Sequence, residues 1–335
     1  MPDDPGRRPR PSRRALYVAP VAVLGLVAAV AIAIRVIGSP DGPDSAATSA
    51  TPLPSVLTAP ASTAPTRMAQ LEDRPSVGPE LGPATRDPRC ATRASRTLRI
   101  LQFNIHAGID SSGRVDLNRI AAEIESVHPD LVSLNEVDSG TLRSGGLDET
   151  AYLAGATGLH GVYGPNLFYD GGLFGNAILS RYPVVQSHNL LLPVALGLEH
   201  RGLLTATLRL GGHTVSFSSL HLSDGSDGRA SRTAQAETVA QAVGHTSRPT
   251  LVAGDLNSVP GDLPERLLRQ HLLDSQEQGG AGNGDTVPEP DPRSRFDYVL
   301  YNDRLAVVPG STRVLPSAVS DHRAVFTQLV LRRGC

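Results

Sequence analysis

The chain has 335 residues, a formal net charge of -2 and no lysine, so every basic side chain apart from histidine is an arginine. Tryptophan is absent and aromatic residues make up only 4%, which argues against a broad basic face for duplex nucleic acid and against base stacking on aromatic platforms. The length admits two domains, but composition shifts along the chain, and only its last two thirds reads as a folded unit.

Residues 1–14 hold Arg7, Arg8, Arg10, Arg13 and Arg14, and Ala15 to Ile34 then run without a charge. About twenty apolar residues suffice to cross a bilayer as a helix. The arginines before the run and the sparse positive charge after it put the N-terminus in the cytoplasm and the remainder outside. The expectation is a single-pass signal anchor over 15–37 in the cell membrane. A cleaved signal peptide would give the same side, but this apolar core is longer than an ordinary signal core and no small-x-small cleavage site follows closely. Residues 38–96 are rich in Pro, Ser, Thr and Ala with few large apolar side chains, a composition expected to stay disordered and to reach roughly 40–46 Å as a coil.

Residues 97–335 carry a succession of strand-like and helix-like runs. Leu98 to Phe103 is a strand-like run that stops at Asn104. Asp116 can cap a helix whose Leu117, Ile120, Ala121, Ile124 and Val127 recur at helical spacing, ended by His128-Pro129-Asp130. Leu131 to Asn135 forms a second strand leading into Glu136. Asn176 stands near the start of Gly175 to Pro183, and Arg201 precedes a predicted hairpin of 203–210 with 213–220, joined through Gly211-Gly212 and leading into His221. A helix is predicted from about Ala230 to Val243, stopped by Gly244. The buried run Leu251-Val252-Ala253 then ends in Gly254-Asp255-Leu256-Asn257. A short helix over 263–270 follows, then Phe296 to Leu300 with Asp297 inside it, then Ser320-Asp321-His322 ahead of the strand-like 324–330.

The chemistry lies where these apolar runs end. Asp255 and Asn257 are two apart, so in an extended segment both side chains point to one side. An acid inside an apolar strand, as Asp297 is, needs a partner or a metal. Phosphoester hydrolysis requires a hard cation on carboxylate and amide oxygens, an acceptor for the proton of attacking water, and donors for the charge that builds on phosphorus oxygens. Taken singly, Gly-Asp-x-Asn is more often a turn and Ser-Asp-His a helix cap. Six such places in one chain outweigh those readings.

Their order, Asn104, Glu136 in Leu-Asn-Glu-Val, His221 after a strand, Gly-Asp-Leu-Asn at 254–257, Phe-Asp-Tyr at 296–298 and Ser-Asp-His at 320–322, resembles the endonuclease/exonuclease/phosphatase superfamily from Leu98 to about Leu331. The resemblance implies an α+β fold, a four-layered α/β/β/α sandwich of two packed mixed β-sheets flanked by helices, as in deoxyribonuclease I-like hydrolases. It implies Mg²⁺, with Mn²⁺ as an alternative, held by Glu136 with Asn104 and Asp321. Asp255 resembles the residue that orients or deprotonates the attacking water, with Asn257 holding that water or a phosphate oxygen. His221 and His322 resemble hydrogen-bond donors to the phosphate, and Asp297 the acid that fixes His322. Whether Asp255 or the Asp297–His322 pair is the base stays open, with Asp255 favoured. In a narrower branch, Asn176 and Arg201 resemble residues facing substrate. The first and last strands lie near each other in this family, so Cys90 and Cys335 are expected to form a disulfide, in keeping with an oxidising compartment. The expected partner is a phosphoester substrate and the expected state a monomer; nucleic acid is not indicated by charge. The competing class is a non-catalytic surface binding module that keeps the scaffold. Loops 138–175, 186–200 and 274–294 would hold the selectivity, and their sequence does not spell out a substrate.

Overall fold

A computed structural model describes residues 96–332 except 111, 211 and 245. The basic tail, the apolar segment 15–37, the linker up to residue 95, and both cysteines lie outside the described residues. Among the described residues, no helix is long and apolar enough to cross a membrane.

Two mixed sheets face each other. The first has the order β11 (Leu305–Val307), β13 (Ala324–Leu331), β1 (Thr97–Asn104), β2 (Leu131–Ser139), β4 (Gly172–Ser180) and β3 (His160–Tyr169), with β12 (Arg313–Leu315) also on β13. The second runs β5 (Val184–Leu191), β6 (Gly202–Leu210), β7 (His213–His221), β8 (Thr250–Asp255), β10 (Asp297–Tyr301) and β9 (Leu273–Asp274). The pairs β1–β2 and β7–β8 are parallel and the remaining pairs antiparallel. Helices α1 (Leu117–Ser126) and α2 (Glu149–Thr157) cover the first sheet; α3 (Arg229–Gly244) and α4 (Leu263–Arg269) cover the second, and α5 (Ser275–Gly279) follows β9. The expected four-layered sandwich is the fold observed.

Period-two alternation separates the layers. On β1, Leu98 and Ile100 join the apolar core between the sheets, whereas Leu101 and Phe103 pack against Leu117, Ile120 and Ile124 of α1. On β8, Leu251 and Ala253 face the inter-sheet core and Val252 faces Val239, Ala240 and Val243 of α3. Phe103 is completely buried, and its truncation to alanine would cost about 3–5 kcal/mol. The side chain of Asp116 caps α1 as expected, accepting from the Arg119 amide at 3.1 Å. Strand β2 runs on to Ser139, four residues past the predicted stop at Asn135, through a bulge between Leu134 and Val137.

Candidate active site

The inter-sheet face changes character at one end. Its apolar rows continue in register into Gln102 and Asn104 on β1, Ser133 and Asn135 on β2, Ser219 and His221 on β7, Asp255 on β8 and Asp297 on β10, all buried. Register makes the juxtaposition: Asn104 lies beside Asn135, while Asp255 lies opposite Asp297 on one side and beside His221 on the other. Gly254 allows β8 to approach β7 closely, because a Cβ there would collide with the Leu220 carbonyl.

Glu136 reaches this end through the bulge in β2. Its backbone adopts φ 57°, the left-handed region that a non-glycine residue rarely takes, and the extra residue re-aims its side chain. Asn257 (φ 46°), His106 (φ 48°) and Ala107 (φ 50°) share that strained region around the same opening. The Asn104 amide nitrogen donates both to Glu136 Oε1 at 2.9 Å and to Asp255 Oδ2 at 3.1 Å. Two carboxylates thus converge on one nitrogen, and among the described residues neither pairs with an arginine.

Asp255 is held from several directions. Its backbone N–H donates to Asn135 Oδ1 at 3.1 Å, and its Oδ1 accepts from the Asn257 amide at 2.8 Å. His221 Nε2 stands 3.7 Å and His322 Nε2 3.8 Å from Asp255 Oδ2. On its far side His322 Nδ1 donates to Asp297 Oδ2 at 2.8 Å. The loop carrying His322 is tied down by Ser320, whose hydroxyl donates to the Asn104 carbonyl at 2.7 Å and accepts from the His322 amide at 3.1 Å.

The two imidazoles end up in opposite states. Burial lowers His221 well below its usual value, helped by Arg201 and His322. The Asn257 side-chain nitrogen donates to the Leu222 carbonyl at 3.1 Å and lies 3.2 Å from His221 Nε2, so that ring nitrogen is the acceptor. Burial also opposes charge on His322, but Asp297, with Asp255 and Asp321, outweighs it and raises the ring to about 10. Both histidines were expected to donate to phosphate; in this arrangement His322 alone is poised to donate, because Asn257 occupies His221 Nε2. Burial pushes Asp255 up to about 7, with the Asp297 charge adding to it and His322 opposing it.

Glu136, Asn104, Asp255, Asn257, His221, Asp297 and His322 therefore meet at one site. Asp321 does not join them directly: its side chain is 53% exposed and faces His106 Nδ1 at 3.8 Å. Asn176 is fully buried behind the opening, accepting from Asn135 at 3.1 Å and donating to the Gly202 carbonyl at 2.9 Å. Arg201 lines a cleft beside Glu136. Sequence reasoning passed over Gln102, Asn135 and Ser219, which position the reacting groups: Gln102 donates to Asn135 at 2.7 Å and to Asp297 at 3.2 Å. Only strand pairing shows that they lie between the sheets.

The donor set suits a hard divalent cation. Glu136 Oε1 and Asp255 Oδ2 converge on the Asn104 side-chain nitrogen, the Asn104 oxygen accepts from the His106 backbone N–H at 3.1 Å, and Asp255, Asp297 and His322 offer atoms all within 4.8 Å of one another.

The endonuclease/exonuclease/phosphatase family description matches residues 101–322. Protein cwh43 of Schizosaccharomyces pombe is 30% identical over 166 residues, which are 50% of this chain and 17% of that much longer protein. The uncharacterised protein YbhP of Escherichia coli is 29% identical over 249 residues, 70% of this chain and 97% of YbhP. The crystal structure of an endonuclease/exonuclease/phosphatase from Beutenbergia cavernae superposes with a TM-score of 0.59 at 28% identity, covering 71% of this chain and 72% of that one.

Proposed function

The chain belongs to the endonuclease/exonuclease/phosphatase family, whose members are generally divalent-metal-dependent phosphoesterases, and on that premise we propose that this site hydrolyses phosphoesters by attack of water, with Mg²⁺ as the ion. The observation that carries the reading is the Asn104 amide bridging the Glu136 and Asp255 carboxylates, with the Asp297–His322 pair on the other side of Asp255. Glu136 and Asn104 would hold the cation, and bound there it supplies positive charge to the phosphoryl oxygens as the transition state forms.

Asp255 accepts a proton from the attacking water as its oxygen bonds to phosphorus. Its position near neutrality, set by burial, makes it a base suited to that task. Asn257 donates its backbone N–H to Asp255, and its side chain, held by the Leu222 carbonyl beside His221, orients the water or a phosphoryl oxygen. His322 stays protonated through Asp297 and donates from Nε2 to the phosphate as charge accumulates. The bond from phosphorus to the departing alcohol oxygen breaks, and the alcohol leaves with a proton from solvent.

The test is turnover of p-nitrophenyl phosphate and bis(p-nitrophenyl) phosphate with Mg²⁺, with and without chelator. Chelator-sensitive hydrolysis of either ester is expected; a folded sample inert on both would favour the binding-module class.

We further propose that the enzyme is tethered outside the cytoplasm. The arginine-rich residues 1–14, the uncharged run from Ala15 to Ile34 and the Pro/Ser/Thr/Ala-rich stretch after it support that reading. Carbonate extraction and protease accessibility of intact cells test it, with membrane-bound, externally cleaved protein expected. Alkylation of native protein tests the Cys90–Cys335 bridge, with both thiols expected to be protected.

A further inference from the structure

Glu149, the first residue of α2, is an acid without a counter-ion. It is completely buried, and its Oε1 has no hydrogen-bond partner among the described residues. Burial pushes its carboxyl up to about 8, with the Asp138 backbone N–H opposing the rise and the Asp138 charge adding to it, so the group is mostly uncharged near pH 7. A buried polar atom left unpaired weakens a fold relative to an apolar side chain of the same shape. What Glu149 does make is one bond: its Oε2 accepts from the Asp138 backbone N–H at 2.8 Å.

That bond falls just past the bulge. Between Leu134 and Val137, Asn135 and Glu136 of β2 stand opposite the single residue Asn176 of β4, and Glu136 takes its left-handed backbone there. Such a conformation persists only where the surroundings over-determine it. Before Glu136, the Asn135 carbonyl accepts from the Ile105 N–H at 3.1 Å, and the Asn135 side-chain nitrogen donates to the Leu220 carbonyl at 3.0 Å. After it, the Tyr163 hydroxyl of β3 donates to the Val137 carbonyl at 3.2 Å, and Glu149 takes the N–H of Asp138. Burial, with Asp138 and Glu149 nearby, pushes the Tyr163 hydroxyl above its usual value and keeps it a donor. The Asp138 side chain is occupied as well, accepting from the Thr141 hydroxyl at 2.6 Å and from Arg143 Nε at 2.7 Å. The backbone is therefore fixed on both sides of Glu136, and the later side is held from α2 and β3, which carry none of the reacting groups.

We propose that Glu149 and Tyr163 are positioning residues: by holding Asp138 and Val137 they fix the bulge that aims Glu136, and so set the affinity of the site for its cation. The proposal rests on the reading of Glu136 as a cation ligand. Neither residue touches the ion or the substrate. When either hold is lost, β2 can relax toward a regular ladder, and a one-residue change of pairing turns a side chain to the other face of the sheet.

The experiment is titration calorimetry of the full chain with Mg²⁺ alone, accompanied by thermal unfolding in chelator and by the Mg²⁺ dependence of ester hydrolysis. Glu149→Met keeps the length of the side chain and removes the acceptor. Its Mg²⁺ dissociation constant should rise by about tenfold or more, the scale found for groups that orient a metal ligand. Glu149→Gln keeps the acceptor and imitates the uncharged acid, so its constant should stay within about twofold of the wild type. Tyr163→Phe deletes a single hydroxyl and should raise the constant by about threefold, the effect of one hydrogen bond, with kcat recovered at saturating Mg²⁺. Should Glu149→Met fail to fold, Tyr163→Phe decides alone. Arg295→Met controls for lost stability, because it weakens the fold at the second sheet and should leave Mg²⁺ affinity unchanged. The proposal is overturned if the folded Glu149→Met and Tyr163→Phe proteins bind Mg²⁺ as the wild type does, if Glu149→Gln loses as much as Glu149→Met, or if Arg295→Met loses as much as either. A wild type that binds no Mg²⁺ would sink the cation reading itself, and this proposal with it.

Discussion

Two clusters of acidic side chains stand out among the described residues, one wholly buried and one whose Glu277 reaches the surface, and they are neutralised in opposite ways. Glu265, Asp274 and Glu277 come within sharing distance of an ion, but Arg269 binds Glu277 at 2.6 Å and Glu265 at 3.1 Å, and Arg295 closes on Asp274. Fixed guanidinium groups satisfy that cluster permanently. Asp255, Asp297 and His322, with Glu136 alongside, contain no arginine partner; their balance is left to a proton on His322 and to whatever cation the site takes up. A cluster completed by its own chain holds structure together, and one completed by exchangeable charge can do chemistry.

The comparison breaks most visibly under substitution. Asp255→Ala should lower kcat by ~10² to 10⁴-fold with the circular dichroism spectrum unchanged, since a positioned base contributes on that scale; a loss below tenfold would remove Asp255 from the role of base. Arg295→Met should do the reverse. It leaves Asp274 buried without its main partner, at a cost of about 3–5 kcal/mol in denaturant unfolding, while kcat of the remaining folded protein changes little.

A sharper version replaces one acid by its amide in each cluster. Burial and Asp297 raise Asp255 in the folded state above its unfolded value of 3.8, to about 7, so its ionised form opposes folding at pH 8. Without metal, Asp255→Asn should therefore stabilise the domain by about 1–3 kcal/mol. Asp274→Asn, which abandons Arg295, should destabilise it. Equal signs for the two amides in thermal unfolding would erase the distinction between the clusters.

The smallest effects lie in pH dependence. Asp255 must be ionised to accept a proton, so kcat/KM should rise as pH passes about 7; His322 must be protonated to donate, so it should fall toward pH 10. Asp297→Asn removes the charge that holds the proton on His322 and should move the upper limb down by about 1–3 pH units. An upper limb that stays in place would assign it to another group. Increasing Mg²⁺ should carry the lower limb downward, because a cation beside Asp255 favours its ionised form.

Much of the site was legible because its side chains stand where apolar runs stop. Asn104, His221, Asp255 and His322 each end or precede a strand, and burial of both sheets forces those runs to be apolar and contiguous. The supporting amides were harder to read. Asn135 and Gln102 look like ordinary polar residues in a strand until pairing shows that they lie between the sheets. The left-handed backbone of Glu136 could not be read at all, since the bulge exists only once β2 pairs with β4. The same holds for the ion pair of Arg143, in the connection after β2, with the buried Asp138 near the end of β2, which fixes the wall of a cleft. Of the fold, the long strands and α1 followed from periodicity, whereas β9, β11 and β12 are two or three residues long and too short to show any.

The central claim is that Glu136 and Asn104 hold a cation that the chain itself does not replace. It is tested most directly by the Mg²⁺ dependence of ester hydrolysis in the wild type and in Glu136→Gln. The half-saturating Mg²⁺ concentration should rise by at least about tenfold in the variant, in line with the loss of a carboxylate at a metal site. An unchanged Mg²⁺ dependence, with activity retained, would contradict the account.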